Sequence, residues 1–550
     1  MVFLKKNIFF LVLIFSYIAI ELWFLNWGIP NPHHPFNYHM DEWHQSQAVR
    51  TVFTKGTPNI AGSANGSMLH FFLTGIYLTP FIIFGIVNPF AIKSSIGNLE
   101  MQQRLFEVFR LNTLFFGILS IILLIYIAKK YFKLNKALVT FLFVFNPMWL
   151  TLSGYFKYDI ALVFWILVGF LFILKFVCNP NTRNYIIAGA ASALSFAVKL
   201  SAIPLLPLYI FAFFAYYPSP LKNIAKLLKG VLIYILVFIV VGIPDLVLGR
   251  GNIYEYLDSN LRRAPDATSN FLLGSHYIPF LFFKLYAYTF GHALYFVFLV
   301  CGLGFFIWFL KKSHFKNPAN FMKAILKNRE YTLLFVTFIL FLFSLLPLKI
   351  EGRANRLLVL LPFIVLYTSF FLTKIYSFIK NKKNKVLFIG IITLLIGLQL
   401  FEVFGWLWIK QAPDPRVTSS VWLQQHIKKE TTIGIENIPI YQMLPDIVVK
   451  EFYDKQYGLK GNYHFNYQIV DSKSSQFPHY IIVTNDKVEP QYLQKSEKKD
   501  LIARLQKEKY KVVARFMPDL QYYNLYGNQF IFFIAGLVIA PNTITVYAKH

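Results

Sequence analysis

Residues 106–128 read FEVFRLNTLFFGILSIILLIYIA and are followed directly by Lys129 and Lys130. About 20 apolar residues span a bilayer as an α-helix, so this stretch predicts a transmembrane helix with its basic end in the cytoplasm. Similar stretches recur along most of the chain, which is 56% hydrophobic and only 15% charged. A soluble domain carries about a quarter charged residues. The chain is therefore expected to be a mainly α-helical, polytopic membrane protein.

The apolar stretches predict about eleven transmembrane helices. The N-terminal run that ends near Trp27 is too long for a signal-peptide core, and no small-residue cleavage site follows it. It is interpreted as a retained first span with its lysines inside. The other candidate spans lie near residues 106–128, 137–153, 160–177, 185–200, 201–217, 231–248, 286–310, 331–348, 357–378 and 386–408.

One further apolar run, residues 69–87, is expected not to cross the membrane. If it crossed, the basic clusters near Lys129, Lys222 and Lys380 would all lie outside, although cytoplasmic loops tend to carry Lys and Arg. The run is therefore expected to be a re-entrant or juxtamembrane element in a first outer loop of residues 28–104. The N-terminus then lies in the cytoplasm, and the chain is placed in the cell (plasma or inner) membrane.

The formal net charge of +28 does not indicate nucleic-acid binding. Basic residues form short clusters between apolar runs, as at Lys129-Lys130 and Lys311-Lys312, which is typical of cytoplasmic loops facing anionic lipid. The expected contacts are therefore membrane lipids and no nucleic acid. The two cysteines, Cys178 and Cys301, do not form a disulfide framework.

Residues 409–550 are more polar and are expected to form an extracytoplasmic α/β domain after a membrane domain of residues 1–408. Within them, residues 417–429 and 501–509 are predicted helices, and residues 432–436, 480–484, 511–516 and 543–547 are predicted strands. The apolar stretch 530–540 is too short to cross, so we expect it to pack on the membrane surface or in the domain core.

A cluster of polar residues, HMDEWH at 39–44, lies just beyond the first span. An adjacent carboxylate pair close to lipid is unfavourable, because a low dielectric favours the neutral form. Asp41 and Glu42 would suit a general base that takes a proton from a hydroxyl, or a metal ligand. They would equally suit the acidic first turn of an interfacial helix, and both descriptions can hold for the same residues.

A second charged group is Asp159, which ends the stretch YFKYD at residues 155–159. This stretch forms a very short outer loop between two apolar runs. Asp159 can border the same cavity as Asp41, or it can simply pair with Lys157 at the interface. The residues alone leave both alternatives open.

Positive charges on the outer side form the third group. Arg353 and Arg356 lie at an outer helix end, against the positive-inside tendency. A guanidinium fork binds phosphate oxygens, so they suit a lipid phosphate, with anchoring to lipid headgroups as the alternative. Lys199 is a weaker candidate. The long outer loop near residues 250–279 can form a lid over the cavity or bind the acceptor, or it can be a plain solvated loop. Its candidate residues are Arg262, Arg263 and His276.

Several histidines lie in the first outer loop, and they leave a divalent cation open as a cofactor. His33, His34 and His70 can join a metal site with His39 or His44, but their spacing matches no metal-ligand pattern. The metal ligands are therefore unknown at this stage.

The order of these features resembles the dolichyl-phosphate-mannose protein mannosyltransferase superfamily and its bacterial relatives, including the aminoarabinose transferases of lipid A. These are membrane glycosyltransferases of the C fold, similar to glycosyltransferase family 39. The match departs from the bacterial pattern at residues 66–70, GSMLH, where a His-Pro-Pro-Leu-like signature is usual, and at residues 355–357, NRL, in place of Arg-Tyr. The resemblance rests on Asp41-Glu42 with Ala48, Arg110, Asp159, Lys199 with Ser201, Arg356 before Leu360-Leu361-Pro362, and Asp414-Pro415-Arg416 in the tail.

The resemblance implies an inverting glycosyltransferase that moves a hexosyl or pentosyl group from a polyprenyl-phosphate sugar donor. The acceptor is a hydroxyl of a protein, lipid or glycan on the outer face. Asp41 is expected to take the acceptor proton, and Glu42 and Asp159 to orient the acceptor or hold a cation. Arg356, with Arg353 or Lys199, is expected to stabilise the leaving phosphate.

Other functions fit the sequence less well. A lipid or polysaccharide transporter or flippase would place charged residues deep in several spans, and the predicted spans are nearly free of them. A non-catalytic membrane scaffold would leave Asp41 and the two arginines unexplained. A lipid-linked oligosaccharide transferase would carry a Trp-Trp-Asp-type signature in its tail, and the tail has none.

Overall fold

The structure is a computed structural model, and it shows a helical membrane part followed by a small domain with a five-stranded mixed sheet. The predicted fold class is thereby confirmed. The structure describes residues 2–55, 68–91, 98–247, 290–312, 327–345, 354–436, 443–456, 458, 461–484, 496–517 and 543–550.

The helices of the membrane part follow the apolar stretches of the sequence. Short 3₁₀ turns occur at Pro89–Ala91, Leu200–Ala202, Pro220–Asn223 and Ala354–Leu360, and a π-helical turn at Phe238–Gly242 extends α10. The α-helices are α1 Val2–Trp23, α2 Met40–Lys55, α3 Met68–Ile83, α4 Leu99–Tyr131, α5 Lys136–Val144, α6 Pro147–Ser153, α7 Tyr158–Cys178, α8 Thr182–Val198, α9 Leu205–Tyr216, α10 Ile224–Val237, α11 Pro244–Val247, α12 His292–Lys312, α13 Arg329–Leu345, α14 Leu361–Phe378 and α15 Lys382–Gln411.

Several of these helices can cross a bilayer, as a multi-pass protein requires. Five helical stretches within the described ranges are long and apolar enough, namely those containing α4, α7, α10, α14 and α15, and the bent pair α5–α6 would be a sixth. The predicted count of about eleven is not confirmed and stays a prediction. Helix α3 has 16 residues, fewer than the roughly 20 that a span needs. The expectation that residues 69–87 do not cross also stays a prediction.

The predicted span at 137–153 is broken in the middle. Helices α5 and α6 meet at a bend of 68° because Pro147 cannot continue the ladder of backbone hydrogen bonds. Asn146 caps α6, its side chain accepting from the Trp149 amide at 3.1 Å. The Phe145 carbonyl, freed by the break, accepts from Nε2 of the buried Gln399 on α15 at 3.0 Å. A side-chain amide from another helix thus donates the hydrogen bond that this carbonyl needs and that lipid cannot supply.

Helix α7 lies at the centre of the membrane part. It packs along α8 and α4 and also contacts α6, α9, α13 and the 3₁₀ turn Ala354–Leu360. Ile160, Ile166, Phe170 and Ile173 on this helix are fully buried in the main apolar core. The start of α7 is therefore held in a fixed position, and this start carries Asp159.

The C-terminal domain has the sheet order β2-β1-β3-β5-β4. Its β1 runs parallel to β2 and β3, while β5 runs antiparallel to β3 and β4. The predicted strands at 432–436 and 480–484 have the bounds observed, whereas α17 and β2 were not predicted. Residues 530–540 lie outside the described residues. The elements are α16 Pro415–His426, β1 Thr432–Glu436, α17 Asp446–Gln456, β2 Asn466–Val470, β3 Tyr480–Thr484, α18 Ser496–Lys507, β4 Tyr510–Phe516 and β5 Ile544–Lys549.

The segment that leads from α1 to α2 docks onto this domain. Phe36 is buried in the domain's own core, and its ring lies 5.0 Å from that of Tyr453. The Arg416 guanidinium lies over the Tyr38 ring, with Cζ 3.2 Å from the ring centroid, and is also held by Asp414. The two domains are therefore joined at residues 34–38, directly before Asp41.

We expect Gln399→Leu to lower the stability of the membrane part. The change removes the donor to the Phe145 carbonyl, and leaving one buried acceptor unsatisfied costs about 1–3 kcal/mol. Thermal unfolding in detergent measures the effect. Gln425→Leu, a change of the same type at an exposed position of α16, is the control and should leave the midpoint nearly unchanged. Equal midpoints for the two variants would contradict the role given to Gln399.

Candidate active site

The two adjacent carboxylates, Asp41 and Glu42, occupy the first turn of α2, as the sequence allowed. Successive residues of a helix point about 100° apart, so the two cannot face the same surroundings. The Glu42 side chain is completely buried, whereas the Asp41 side chain is 45% exposed. The structure thus separates the pair into an inner and an outer carboxylate.

Glu42 forms a buried fork with Arg110 of α4. Arg110 donates from Nε to Oε1 at 2.9 Å and from Nη2 to Oε2 at 2.8 Å. The Phe156 amide donates to Oε1 at 2.8 Å, and Asn37 Nδ2 donates to Oε2 at 3.2 Å. Both oxygens are occupied and neither is open to solvent. The expectation that Glu42 orients an acceptor or holds a cation therefore does not fit its burial, and its role is structural.

Arg110 also fixes the end of the first span. Its Nη1 donates to the carbonyls of Leu25 and Trp27, both at 2.7 Å. These carbonyls follow α1, where the helical ladder has ended and backbone acceptors need other partners. A single guanidinium therefore connects the end of α1, the start of α2 and the middle of α4. The sequence identified Arg110 only through a family resemblance, and no local pattern pointed to Glu42 as its partner.

Asp41 is the outer end of a chain of alternating charges. Lys157 Nζ lies 2.9 Å from Asp41 Oδ2 and 3.5 Å from Asp159 Oδ2. Lys199 Nζ lies 2.7 Å from Asp159 Oδ1. The Lys157 and Asp159 side chains are 4% and 2% exposed, and Lys199 is 14% exposed. The structure thus brings together Asp41, Asp159 and Lys199, three of the residues that the sequence singled out.

Side chains of α2 hold the loop that carries Lys157. Glu42 accepts from the Phe156 amide, and Gln45 Oε1 accepts from the Tyr158 amide at 2.9 Å. At the other end of the loop, a Cβ on Gly154 would lie 3.2 Å from Lys410 Nζ and 3.3 Å from Glu21 Oε2. A larger residue there would press on the ends of these two side chains. The amides on both sides of Lys157 are therefore held by α2, which sets the position of Lys157.

His39 anchors the backbone at Asp41. Its Nδ1 accepts from the Asp41 amide at 3.2 Å, and its ring lies 4.9 Å from that of Tyr155. Burial, and then the charge of Lys157, lower the pKa of His39 to about 4 despite the opposing effect of Asp41. The imidazole is thus neutral near pH 7 and can act as an acceptor. The spelling HMDE could have suggested this capping role.

Electrostatics keep Asp41 ionised. Burial acts to raise the pKa of Asp41, but Lys157 at 2.9 Å, with His39 and Lys199, outweighs burial and lowers the pKa well below its usual range. Conversely, burial acts to lower the pKa of Lys157, and Asp41 and Asp159 raise it above the ordinary value. Both partners are therefore charged over the physiological pH range.

The other sequence-predicted residues are placed as follows. Arg356 is partly buried in the 3₁₀ turn Ala354–Leu360, which packs against α6 and α7, the helices that flank the Lys157 loop. Arg353, Arg262, Arg263 and His276 lie outside the described residues. Within the described ranges, no three His, Cys, Asp or Glu side chains lie together as metal ligands would. A bound divalent cation stays a prediction.

Residues 99–243 match the family described as dolichyl-phosphate-mannose-protein mannosyltransferase. The match spans 145 of the 550 residues and supports the resemblance to this superfamily that the sequence motifs indicated. The matched region includes Arg110, Lys157, Asp159 and Lys199. Asp41 precedes it and is not part of the match. No curated protein matches the chain in sequence.

Solved structures of membrane glycosyltransferases are similar to the chain at low identity. ArnT from Cupriavidus metallidurans, bound to undecaprenyl phosphate, is 14% identical, with 98% of each chain covered and a TM-score of 0.43. The oligosaccharyltransferase AglB from Archaeoglobus fulgidus, in complex with an inhibitory peptide and dolichol phosphate, is 12% identical, with 88% of this chain and 70% of that chain covered and a TM-score of 0.41. TM-scores this low carry no argument about the site.

We expect Glu42→Gln to destabilise the protein strongly. The change leaves the Arg110 charge buried and uncompensated, and breaking a buried pair in this way costs about 3–5 kcal/mol. The matched control is Glu100→Gln, which breaks the exposed Glu100–Arg104 pair and should cost no more than about 1 kcal/mol. Thermal unfolding in detergent compares the two, and similar midpoints would refute the structural role of Glu42.

Proposed function

We propose that this protein is an inverting glycosyltransferase that moves a sugar from a polyprenyl-phosphate donor to an acceptor hydroxyl on the outer face of the membrane. The match of residues 99–243 to a mannosyltransferase family supports glycosyl transfer as the reaction class. The observation that carries the proposal is Asp41, a half-exposed carboxylate at the open end of a buried charge chain beside the membrane helices.

In the proposed reaction, the acceptor oxygen attacks the anomeric carbon from the face opposite the phosphate. The bond between the acceptor oxygen and the anomeric carbon forms while the bond from that carbon to the phosphate oxygen breaks, through an oxocarbenium-like state. The polyprenyl phosphate leaves with the electron pair. Asp41 takes the proton of the acceptor hydroxyl as the new bond forms. Configuration at the sugar carbon is inverted because the displacement occurs once.

In this scheme, cationic side chains on the same side of the membrane as Asp41 stabilise the leaving phosphate. Arg356 lies in the turn that packs on α6 and α7, close in the fold to the loop carrying Lys157. A guanidinium can hold two phosphate oxygens at once, which suits a group that gains charge as the bond breaks. Lys199 is already 2.7 Å from Asp159, so in this scheme it holds Asp159 in place, and Arg353 is an additional candidate for the phosphate.

A lipid-linked donor accounts for the location of the site. The prenyl chain stays among the helices while the sugar reaches the outer cavity, so no nucleotide sugar is needed on that side. The positive-inside tendency of the Lys-rich loops supports a cytoplasmic N-terminus and an outer C-terminal domain. The acceptor in this scheme is a hydroxyl of a protein, lipid or glycan, and the transferred group is a hexosyl or pentosyl residue.

We expect Asp41→Asn to reduce the transfer rate by about 10²–10⁴-fold, because a general base contributes about that much. The purified protein is incubated with a panel of radiolabelled undecaprenyl-phosphate sugars and membrane acceptors, and the release of undecaprenyl phosphate is followed. Asp500→Asn, at an exposed position of α18, is the control. Turnover of Asp41→Asn close to that of the control would rule out Asp41 as the base.

We expect Arg356→Gln to lower kcat/KM for the lipid-linked donor by about tenfold or more, since a hydrogen bond to a charged group contributes about 1.5–3 kcal/mol. Initial rates at varied donor concentration in the same assay give kcat and KM. Arg183→Gln, at an exposed position at the start of α8, serves for comparison and should leave kcat/KM unchanged. An unaltered kcat/KM for Arg356→Gln would remove this residue from the phosphate site.

A further inference from the structure

Lys157 is a buried cation shared by carboxylates of two different helices. Its ammonium contacts Asp41 of α2 at 2.9 Å and Asp159 of α7 at 3.5 Å. An ammonium this deeply buried is stable only when it is paired, and here the pairing joins α2 to α7. The family resemblance and the sequence patterns assigned no role in the reaction to this residue.

Lys199 shows which carboxylate depends on Lys157. Asp159 has its own cation, because Lys199 Nζ lies 2.7 Å from Asp159 Oδ1. Asp41 has no salt bridge other than that with Lys157 in the part of the chain that the structure describes. With two carboxylates and two ammonium groups, the cluster is neutral only while Lys157 is present. Removing Lys157 would leave Asp41 beside Asp159 with one cation for both.

The two oxygens of Asp41 are held differently. Oδ2 is bound by Lys157, while no hydrogen-bond partner of Oδ1 is found among the described residues. At the backbone, the Asp41 amide donates to His39 Nδ1 at 3.2 Å. One oxygen and the backbone are therefore fixed, and the side chain remains 45% exposed. The second oxygen is the one available to an incoming molecule.

We propose that Lys157 is a positioning residue, which holds Asp41 through Oδ2 so that the ionised Oδ1 faces the acceptor hydroxyl. This inference rests on the proposed function for the identity of the proton donor. The acceptor proton passes to Oδ1, Asp41 becomes neutral, and Lys157 keeps Asp159 as its charged partner. Charge elsewhere in the cluster does not change, so the proton transfer needs no rearrangement of the buried groups.

The charges around Asp41 support this arrangement. Lys157 and Lys199 favour its ionised form, and burial opposes it. Without Lys157, burial and the negative charge of Asp159 would both favour the protonated form. A protonated Asp41 cannot accept a proton, so loss of Lys157 should raise the pH below which the site is inactive.

The test measures the ionisation of Asp41 directly. A water-soluble carbodiimide with glycine methyl ester couples to protonated carboxyl groups, and mass spectrometry gives the yield at Asp41 between pH 5 and pH 8. We expect low labelling of Asp41 in the unmodified protein at every pH in this range. In Lys157→Met, labelling should rise as the pH falls and exceed that of the unmodified protein by about tenfold or more at pH 5, which corresponds to a pKa rise of at least about one unit.

Further variants guard against misfolding and non-specific effects. Met keeps the unbranched stem of Lys157, and the Lys157 side chain makes no capping hydrogen bond to α7. Lys157→Met/Asp159→Asn restores the balance of charge and should fold even if the single variant does not. Lys157→Arg keeps the cation and should preserve low labelling. The control is Lys450→Met. The exposed Lys450 lies 2.9 Å from Asp454, the same distance as Lys157 from Asp41, and its removal should change the labelling of Asp454 little.

The outcomes separate this inference from the proposed function. The inference is overturned if Asp41 is labelled as little in Lys157→Met and in the double variant as in the unmodified protein. This holds whatever the transfer assay shows. With labelling as expected, the acidic limb of the transfer rate should move up by about one pH unit or more in Lys157→Met and not in Lys157→Arg. An unmoved limb overturns the positioning role. Failure of the unmodified protein to use any polyprenyl-phosphate sugar counts against the proposed function alone.

Discussion

The buried pair of Glu42 and Arg110 is the constraint on which the arrangement of the site depends. A guanidinium and a carboxylate removed from water are tolerated only when both are fully hydrogen-bonded. Here the fork is bidentate, two backbone carbonyls after α1 take the remaining guanidinium donor, and the loop before α7 donates an amide to the carboxylate. One pair thus sets the relative positions of four segments that are distant in sequence.

Asp41 owes its position to this pair. Because Asp41 precedes Glu42 in the same helical turn and points about 100° away from it, burying Glu42 against Arg110 leaves Asp41 in different, more open surroundings. The loop that Glu42 anchors at Phe156 then places Lys157 at 2.9 Å from Asp41. The inner carboxylate therefore determines where the outer carboxylate can act, and the two neighbours serve different purposes although their side chains are chemically alike.

The sequence was sufficient for the features that depend on local composition. Long apolar runs predicted the membrane helices, and alternation with β-branched residues predicted β1 and β3 with their observed bounds. The strand β2, whose residues are mostly exposed, and the partly buried helix α17 carried too weak a pattern and were missed. The break between α5 and α6 was missed because the apolar run continues through Asn146 and Pro147.

The candidate site shows where sequence patterns end. The residues Asp41, Asp159 and Lys199 could be named from their types and their predicted side of the membrane. The sequence could not show which of the two carboxylates would be buried. That depends on Arg110, which lies 68 positions from Glu42 in the chain. The docking of Phe36 into the C-terminal domain is likewise a contact between distant segments, and nothing in residues 33–38 alone indicates the partner.

An ion pair between a base and a buried lysine raises the question of base strength. The positive charge lowers the pKa of Asp41, which makes it a weaker base while keeping it ionised. In a displacement that passes through an oxocarbenium-like state, the acceptor oxygen becomes strongly acidic as it bonds to the sugar carbon, so a weak base can take the proton late in the step. For such chemistry, a carboxylate that is always ionised and correctly aimed is of more use than a stronger base that is partly protonated. The charge chain from Lys199 to Asp41 provides that combination, because its buried members fix the geometry and only its last carboxylate meets the solvent.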